Sequence, residues 1–413
     1  MLANDDPISR DRIETLIRSL DAKTLAERTR AERQLLDLGS DVLLRLPAPE
    51  LIESVSARES VRRIRVQLER LAARESSRAS HVSILGEWTL GEILRQIQKQ
   101  TGNRVSLADA DLNIKDDKLI VKWNQSNFWD CLDDLCERSR LHWMFAKDEA
   151  AIQISKLPAA ALKCRAVQRT GPFRLAIHNV EIREVIGERR QRLLRVNGRL
   201  AVEPRLRPLF LAIAVADLKA TADQDQPLPA WNPNAKYEHP VRDGSREVSV
   251  QWDFGLSDET EVTTLAIRGR IHCQIAAAIE RIVFDQTSQA RGTVRRRGGV
   301  SVRLKDAAFT DSGIDELDAE IGVAISYDNG GPAFESHRTW IFHNAVYLES
   351  KSGIRTSFTE FDTTQQSDGA VAVDYRWRKI AAPANQYLFV YEAPTLIIDV
   401  PLDVDLGKVP IAE

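Results

Sequence analysis

Apolar residues recur at the spacing of one helix face through the first part of the chain. A first stripe follows Ser9, a residue type that caps helices, and consists of Ile13, Leu16, Ile17 and Leu20. A second helix, "LAERTRAERQLLDL", ends at Gly39, the residue type that commonly follows a helix. After two prolines the spacing resumes in "PELIESVSARESVRRIRVQLERLAAR", and the polar residues 73–80 are expected to form a connection. The pattern predicts a helical segment over residues 1–78.

A helix followed by a strand occurs twice within residues 79–160, at an offset of 38 positions. Thr89 and Asn127 can cap the two helices, and Gly102 can end the first one. The apolar positions that match across the offset are Leu90 with Phe128, Ile93 with Cys131, Leu94 with Leu132, Ile97 with Leu135 and Val105 with Trp143. Because neither unit can bury its apolar face alone, we expect the two copies to form one small sheet covered by two helices. The alternative is that two unrelated amphipathic helices share an α/β domain.

The order of elements in residues 79–160 resembles that of the secretin/TonB short N-terminal (STN) domain. The matching parts are a helix at 90–101, Gly102 with a strand to Leu107, a strand at 119–123, a second helix at 128–138 and a hairpin at 141–155. In the preceding segment, "AERQLLDLGSDVLLRLP" resembles one HEAT-type helical hairpin. The STN resemblance implies a non-enzymatic module that makes protein contacts in the periplasm or cell envelope, once an export signal has been removed. The visible start, "MLANDDPISRD", has no signal-peptide pattern and by itself would favour the cytoplasm.

From residue 161 onward, alternating strand patterns replace the helical spacing. The segment "EVSVQWDF" places four apolar residues on one face, and short strands of this kind between turn-rich segments are typical of a β-sandwich. The pattern repeats at offsets of 123–127 positions, so that "AVAVDYRW" matches "EVSVQWDF" and "VSVRL" matches "FRLAI". We therefore predict two tandem β-sandwich domains, 161–292 and 293–413, the second a repeat of the first. The alternative is a loose resemblance of the kind that any two β domains share.

Composition narrows the fold class and the classes of partner. The 413 residues are 43% hydrophobic, which suffices for several cores and, with the patterns above, predicts a multidomain α+β fold. The formal net charge of −3 gives no overall attraction to nucleic acid or to acidic membranes. Apolar runs stay well short of the 18 residues that a transmembrane helix needs. We therefore expect no nucleic-acid partner and no transmembrane segment, while the oligomeric state is left open.

Four cysteines are too few for a fold held together by disulfides; they are Cys131, Cys136, Cys164 and Cys273. On one helix, the Cα atoms of Cys131 and Cys136 would lie about 8 Å apart, beyond the ~7 Å that a disulfide spans. Free cysteine is among the most buried residue types, so we expect all four to be small buried residues.

The sequence contains none of the common catalytic or metal motifs, such as a GxSxG elbow, a Walker loop, HExxH or paired cysteines with zinc spacing. We expect the seven scattered histidines on the surface or on strand faces; they are His81, His142, His178, His239, His272, His337 and His343. His337 and His343 lie near Glu335, but on one strand they would stand about 20 Å apart, too far for joint metal ligation. We expect neither an enzyme nor a cofactor or metal site.

Three charged runs each have a structural and a functional interpretation. The strand "LIIDVPLDVDLG" carries on its outer face Asp399, Asp403 and Asp405. A solvated face is expected there, with calcium binding as the alternative. The run "RGTVRRRGG" is expected to be a charged interdomain linker, or else a site for phosphate or an acidic partner, through Arg295, Arg296 and Arg297. In "PRLRPLF", Arg205 and Arg207 are expected in a plain loop, with a strand edge that pairs with another chain as the alternative.

Aromatic residues complete the functional hypotheses. Core filling is expected for Trp88, Trp123, Trp129 and Trp143, whereas glycan binding is open to Trp231, Tyr237, Trp340 and Tyr347. The favoured hypothesis is a non-catalytic interaction or scaffold protein of the bacterial cell envelope, which contacts protein partners through the STN-like module and β-sandwich edges. The alternatives are a carbohydrate- or polymer-binding protein and a hydrolase whose carboxylates are not evident in linear order.

Overall fold

The fold is mostly β, with several sheets and five α-helices in the part of the chain that the structure describes. This computed structural model describes residues 10–47, 52–108, 113–146, 150–157, 164–185, 191–241, 245–257, 261–285, 287, 289–297, 300–327, 341–342, 344–367 and 370–411. The predicted α+β class is confirmed at this level. The chain divides into two compact units, Met1–Ser77 and Arg78–Glu413.

The first unit is helical. Its helices are α1 Arg10–Ser19, α2 Leu25–Asp37 and α3 Val55–Ser76, with a 3₁₀ turn at Ser40–Leu44. The stripes that the sequence predicts meet in one core, whose fully buried members include Ile13, Leu20, Leu35, Val42, Val61 and Ile64. Gly39 follows α2 with a φ of 79°, in the left-handed region that glycine adopts without strain.

The start and the end of α3 differ from the prediction. The Ser54 hydroxyl accepts a hydrogen bond from the backbone N–H of Ala57, so the helix begins at Val55 and not near Pro49. Helical hydrogen bonding then continues to Ser76, into the residues 73–80 that were expected to form a polar connection. Ala73 in this last turn is buried, which explains why the helix continues through a polar stretch.

Within the second unit, residues 78–157 form what we call the α+β module. Its elements are β1 His81–Thr89, α4 Leu90–Thr101, β2 Arg104–Leu107, β3 Lys118–Asn127, α5 Phe128–Ser139, β4 Leu141–Phe145 and β5 Ala151–Lys156. Thr89 and Glu92 form a reciprocal capping box at the start of α4, and Gly102 ends that helix at a φ of 73°. The Asn127 side chain accepts a hydrogen bond from the backbone N–H of Trp129 and so caps α5. The elements and caps expected from the two-copy pattern are therefore present.

The strands of the module form two sheets instead of the single sheet that was expected. β1 pairs antiparallel with β3 in a two-stranded ribbon, whereas β5 pairs with both β2 and β4. Both sheets and both helices share one core, because the matched helix positions are all buried: Leu90, Ile93, Leu94, Ile97, Phe128, Cys131, Leu132 and Leu135. Two sheets that enclose both helices bury the two apolar faces as completely as one sheet would.

The described residues between 164 and 411 form what we call the β unit. Its strands are β6 Ala166–Thr170, β7 Phe173–Glu184, β8 Gln191–Val202, β9 Arg207–Ala214, β10 Leu218–Ala222, β11 Gln226–Leu228, β12 Lys236–Pro240, β13 Glu247–Ser257, β14 Thr264–Phe284, β15 Val294–Arg297, β16 Val300–Gly313, β17 Glu316–Tyr327, β18 Val346–Ser350, β19 Arg355–Ser357, β20 Glu360–Ser367, β21 Ala370–Ala381 and β22 Tyr387–Pro410. They form a first outer sheet (β13-β8-β7-β6), a second outer sheet (β15-β16-β17-β21-β20) and a central sheet containing β9–β12, β14, β18, β19 and β22.

The central sheet corrects the prediction of two separate sandwiches at 161–292 and 293–413. β14 and β22 have 21 and 24 residues, and they pair antiparallel from Thr264 opposite Pro410 to Phe284 opposite Phe389. At ~3.3 Å per residue the two strands span about 70 and 80 Å, which is longer than one sandwich requires. Each strand therefore enters both cores. Leu402 and Leu406 of β22 pack in the core under the first outer sheet, whereas Phe284 of β14 packs under the second.

The two outer sheets have matching strand orders. The order β13-β8-β7-β6 in the first corresponds to β21-β17-β16-β15 in the second. The sequence offsets predict this correspondence for β13, β8 and β7. Both contain a β-bulge at the same place, next to Ile177 in β7 and next to Leu304 in β16. The second sheet has one further strand, β20, on the outer side of β21.

Candidate functional site

A buried carboxylate joins the α+β module to the β unit. Glu203 has no solvent exposure, and its oxygens accept hydrogen bonds from the Ser80 backbone N–H at 2.9 Å and the Ser80 hydroxyl at 2.7 Å. They also accept from Asn103 Nδ2 at 3.1 Å and Arg205 Nε at 2.7 Å. A buried charge is costly unless it is paired and hydrogen-bonded, so this network fixes the module where β1 begins and α4 ends.

Helix α5 makes the second contact between the module and the β unit. The indole N–H of fully buried Trp129 donates to the Pro172 carbonyl at 2.9 Å, and the Asn127 amide donates to the Gly171 carbonyl at 3.0 Å. Both acceptors lie in the turn between β6 and β7. The tryptophan expected to fill the module core therefore also bonds to the first outer sheet.

Asp133 of α5 makes the third contact. We call the contacts of Glu203, Trp129 and Asp133 with their partners the module junction. Its carboxylate accepts hydrogen bonds from Arg169 Nε at 2.6 Å and from Arg174 Nε at 2.9 Å. Arg174 lies over the Trp143 ring, 5.1 Å from its centroid, and the Trp143 indole donates to Asp133 at 3.1 Å. The Asp133 and Arg174 side chains are each less than 15% exposed, so water screens this ion pair weakly.

The module junction leaves the other side of the module exposed. On the outer face of the β1–β3 ribbon, Leu85 and Ile120 are 65% and 61% exposed. The outer edge of β1 is occupied at Ser83, whose backbone N–H and carbonyl both bond to the Gln100 amide. In the described chain β3 pairs with β1 alone, so its other edge presents backbone donors and acceptors. We call Leu85, Ile120 and this edge of β3 the ribbon surface.

A second candidate site lies on the outer face of the first outer sheet. We call it the β12 groove, an open cleft of about 790 Å³ between that face and β12. Its polar and aromatic lining comes from His178, Asn197, Arg199, Tyr237, His239, Ser249 and Gln251. The Tyr237 and His239 rings are stacked, with centroids 6.3 Å apart and planes inclined by 22°. A concave site with a few convergent polar groups and an aromatic ring can bind a small molecule or a polymer chain.

The electrostatics of the β12 groove favour uncharged groups. Burial, together with the positive charges of Arg199 and Arg174, lowers the pKa of His178, and burial lowers the pKa of His239. Both rings are therefore neutral at pH 7. Burial raises the pKa of Glu247, whose carboxylate pairs with Arg199 at 3.2 Å. His178 Nδ1 lies 3.6 Å from Cys164 Sγ, so Nε2 is the ring nitrogen that can contact a ligand.

The cysteines mostly confirm the sequence-based expectation. Cys131, Cys136 and Cys273 are buried, and burial raises the pKa of each thiol to about 12. Cys164 is the exception, because it is only half-buried and lies against His178 beside the groove. The prediction that all four cysteines are buried was wrong at this position.

The histidines divide into paired, exposed and groove residues. His81 is exposed, His142 Nδ1 lies 3.0 Å from the Ser155 hydroxyl, and His272 bonds to Asp399. His178 and His239 meet in the β12 groove, which the sequence did not indicate because their strands are not neighbours in the chain. His337, His343 and the nearby Glu335 lie outside the described residues, as does Trp340. Within the described part of the chain, no group of three or more His, Cys, Asp or Glu is placed to hold a metal ion.

The acidic run on β22 is paired with cations on β14. Asp405 and Asp403 accept from Arg268 Nε and Arg270 Nε at 3.0 and 2.6 Å, and Asp399 lies 2.7 Å from His272 Nδ1. The carboxylates are at least half exposed, as a solvated strand face requires. Each one already has a positive or protonatable partner, which weakens the calcium alternative.

The arginine runs are more ordered than expected. The run Arg295, Arg296 and Arg297 belongs to β15, which pairs with β16, so it is an edge strand and not a linker. Arg205 belongs to the Glu203 network, and Arg207 is buried in β9, where it donates to the Asn344 amide oxygen at 3.1 Å. Both arginines of "PRLRPLF" therefore stabilise the interior.

The aromatic residues singled out in the sequence differ in burial. Trp123 and Trp129 are buried in the module core, and Trp88 and Trp143 pack against it partly exposed. Among the rings proposed for glycans, Tyr347 is buried. The guanidinium carbon of Arg355 lies over it, 4.6 Å from the centroid of the Tyr347 ring. Two others remain exposed, Trp231 at 39% and Tyr237 at 37%.

Comparisons with known proteins leave the family open. No protein-family model and no curated protein matches the chain. A solved structure titled pT26-6p aligns with 68% of this chain and 68% of its own chain, at 8% sequence identity and a TM-score of 0.16. A score this low carries no argument about fold or function. None of the helices in the described ranges combines the length and the apolar character needed to cross a membrane.

Proposed function

We propose that the chain is a non-catalytic interaction protein that holds the α+β module in a fixed orientation and offers its ribbon surface to a protein partner. The module junction carries this proposal. A flexible tether would suffice for a module that acts independently, whereas a buried carboxylate, a buried indole and a weakly screened ion pair fix one orientation. That orientation leaves the ribbon surface free of contacts with the β unit in the described chain.

The proposed partner segment is extended and adds a strand to the free edge of β3. Lys118, Ile120 and Lys122 of β3 are exposed on one face, and Lys118 is already paired with Glu87 at 3.1 Å. Lys122 lies opposite Leu85 in the register. A partner strand with an apolar and an acidic residue two positions apart, both on the exposed face, would cover Ile120 and pair with Lys122.

The proposed location is the cell envelope, and the support is the STN-like order of elements in residues 79–160. Modules with that order make protein contacts there, which agrees with a ribbon surface built for strand addition. The same resemblance supports a role without catalysis.

A photo-crosslinking residue at position 120 tests the proposal, with one at the equally exposed Ile354 as the control. We expect envelope extracts to give one reproducible adduct from position 120, at an extended acidic–apolar segment identified by mass spectrometry. A synthetic peptide of that segment should bind the native chain and Ile354→Lys, and bind Ile120→Lys at least tenfold more weakly. Adducts no more specific than those from position 354, or a peptide indifferent to Ile120→Lys, would overturn it.

The alternatives differ in their support. Carbohydrate binding is favoured by exposed Tyr237 in the β12 groove. For a hydrolase, Glu247 has a raised pKa, but Asp253 on the same strand face is six residues away, about 20 Å. The two carboxylates of a glycosidase lie ~5–10 Å apart, so this pair does not fit that chemistry.

A further inference from the structure

The β12 groove exists because one strand differs between the two repeats. In the second repeat, β20 precedes β21 and pairs along its outer edge, from Glu360 opposite Arg376 to Ser367 opposite Ala370. In the first repeat, β12 occupies the same place before β13, but it pairs with β9 of the central sheet. Among the described residues, the outer side of β13 carries a short bridge, Ala230 opposite Phe254, in place of an added strand. The rest of that side is left open, and β12 places Tyr237 and His239 beside it.

The residues beneath that opening also differ in charge between the two repeats. At the common bulge, His178 corresponds to Lys305, and on the neighbouring strands Asn197 and Gln251 correspond to Gly322 and Asp374. In the second repeat Lys305 Nζ lies 3.9 Å from the Asp374 carboxylate and 3.2 Å from the Thr364 hydroxyl of β20.

The second repeat thus closes this position with an ion pair and an added strand. The first repeat keeps it open, and the residues at the corresponding positions, His178, Asn197 and Gln251, carry no charge at pH 7. Because the surrounding strand order is the same, the opening is specific to the first repeat and is not a general consequence of the fold.

We propose that the β12 groove binds a neutral saccharide chain. The planar amides of Asn197 and Gln251 and the imidazoles of His178 and His239 offer both donors and acceptors, as hydroxyl groups require. Tyr237 presents an aromatic face at the rim, against which the C–H face of a pyranose ring can pack. An open cleft admits a chain that continues past the site at both ends.

The charges near the groove argue against an anionic ligand. Arg199 is the cation in the lining, and Glu247 already neutralises it. A phosphate or sulfate would have to displace that carboxylate and would gain no further cation from the lining residues. This role goes beyond the proposed scaffold function and uses a different surface, so either can hold without the other.

The test uses the full chain on an array that contains neutral, sulfated and uronic-acid oligosaccharides. Titration calorimetry then follows with chitohexaose, cellohexaose and maltohexaose, together with any neutral oligosaccharide that the array returns. We expect at least one neutral oligosaccharide to bind. Tyr237→Ala should weaken that binding about tenfold, whereas Tyr237→Phe should change it less than threefold, because the ring face is kept.

A second pair of variants guards against a change in folding. Ser249 is exposed in the lining, so Ser249→Trp should block the groove and abolish binding, while Ser249→Thr should bind as the native chain does. Unchanged thermal unfolding in all four variants establishes that the groove alone is altered. Silence towards neutral glycans, stronger binding of the anionic ones, or binding unaffected by Ser249→Trp would overturn the proposal, and none of these outcomes bears on the ribbon surface.

Discussion

Glu203 and Ser80 lie 123 residues apart in the chain, yet the buried carboxylate accepts hydrogen bonds from both the backbone N–H and the hydroxyl of Ser80. The contact joins the first residues of the α+β module to the turn that follows β8. With the Trp129 and Asp133 contacts, it makes the module a fixed part of the second unit and not a tethered domain.

Glu203→Ala is expected to lower the free energy of unfolding of the second unit by about 3 kcal/mol, because it leaves buried Asn103 and the Ser80 N–H without their acceptor. Urea denaturation monitored by tryptophan fluorescence measures this change. Glu320→Ala is the matched control, since the Glu320 side chain is about half exposed and its ion pair with Arg376 should contribute less than about 1 kcal/mol. Equal effects of the two substitutions would contradict a buried network.

Leu406→Ala is expected to destabilise the first core by about 2–5 kcal/mol, although residue 406 lies at the C-terminal end of the second repeat. Hydrogen exchange with mass spectrometry should show faster exchange in β8 and β13 than in β17 and β21. Phe284→Ala is the reciprocal variant, and it should affect β17 and β21 first. Exchange that rises in the repeat containing the substitution would contradict the shared central sheet.

The thermal stability of the chain is expected to fall as the pH drops below 6.5, because His178 and His239 are neutral in the folded state. Their folded pKa values are lowered, so protons bind to the unfolded chain first, and the stabilisation present above pH 6.5 is lost as the pH falls through the folded pKa. Burial, together with the positive charges of Arg199 and Arg174, lowers the pKa of His178 and keeps the ring neutral. Thermal unfolding at pH 7.5 and 5.5 should show a smaller difference for His178→Gln than for the native chain. An equal difference would refute this origin.

Thiol labelling should distinguish Cys164 from the other cysteines. Burial holds the pKa of Cys131, Cys136 and Cys273 at about 12, so these thiols stay protonated and inaccessible in the folded chain. We expect Ellman's reagent to modify one thiol per native chain, and mass spectrometry to place it at Cys164. Cys164→Ser should abolish the fast reaction. Rapid labelling of any buried cysteine would contradict the described core.

Local signals in the sequence predicted the local parts of the fold. Capping residues such as Thr89 and Asn127 and the left-handed Gly102 act within one turn of helix, so their positions sufficed to place α4 and α5. Strand alternation likewise identified the faces of β13 and β21. These features depend on neighbours a few residues away.

The pairings between distant segments could not be predicted in this way. Nothing in β14 or β22 alone specifies that Thr264 lies opposite Pro410, because a register between strands over a hundred residues apart depends on the whole sheet. The β12 groove was missed for a related reason. Its histidines have no common motif, and they meet because β12 pairs with β9 and not with β13.

The fixed orientation of the α+β module is tested most directly by pulsed electron spin resonance between labels at Lys122→Cys on β3 and Lys219→Cys on β10, in a Cys164→Ser background. Both positions are exposed, so the labels should not disturb the core. A module held in one orientation should give one narrow distance distribution, which broadens when Glu203→Ala is added. A broad distribution in the unaltered chain, or one that Glu203→Ala leaves unchanged, would contradict the fixed orientation.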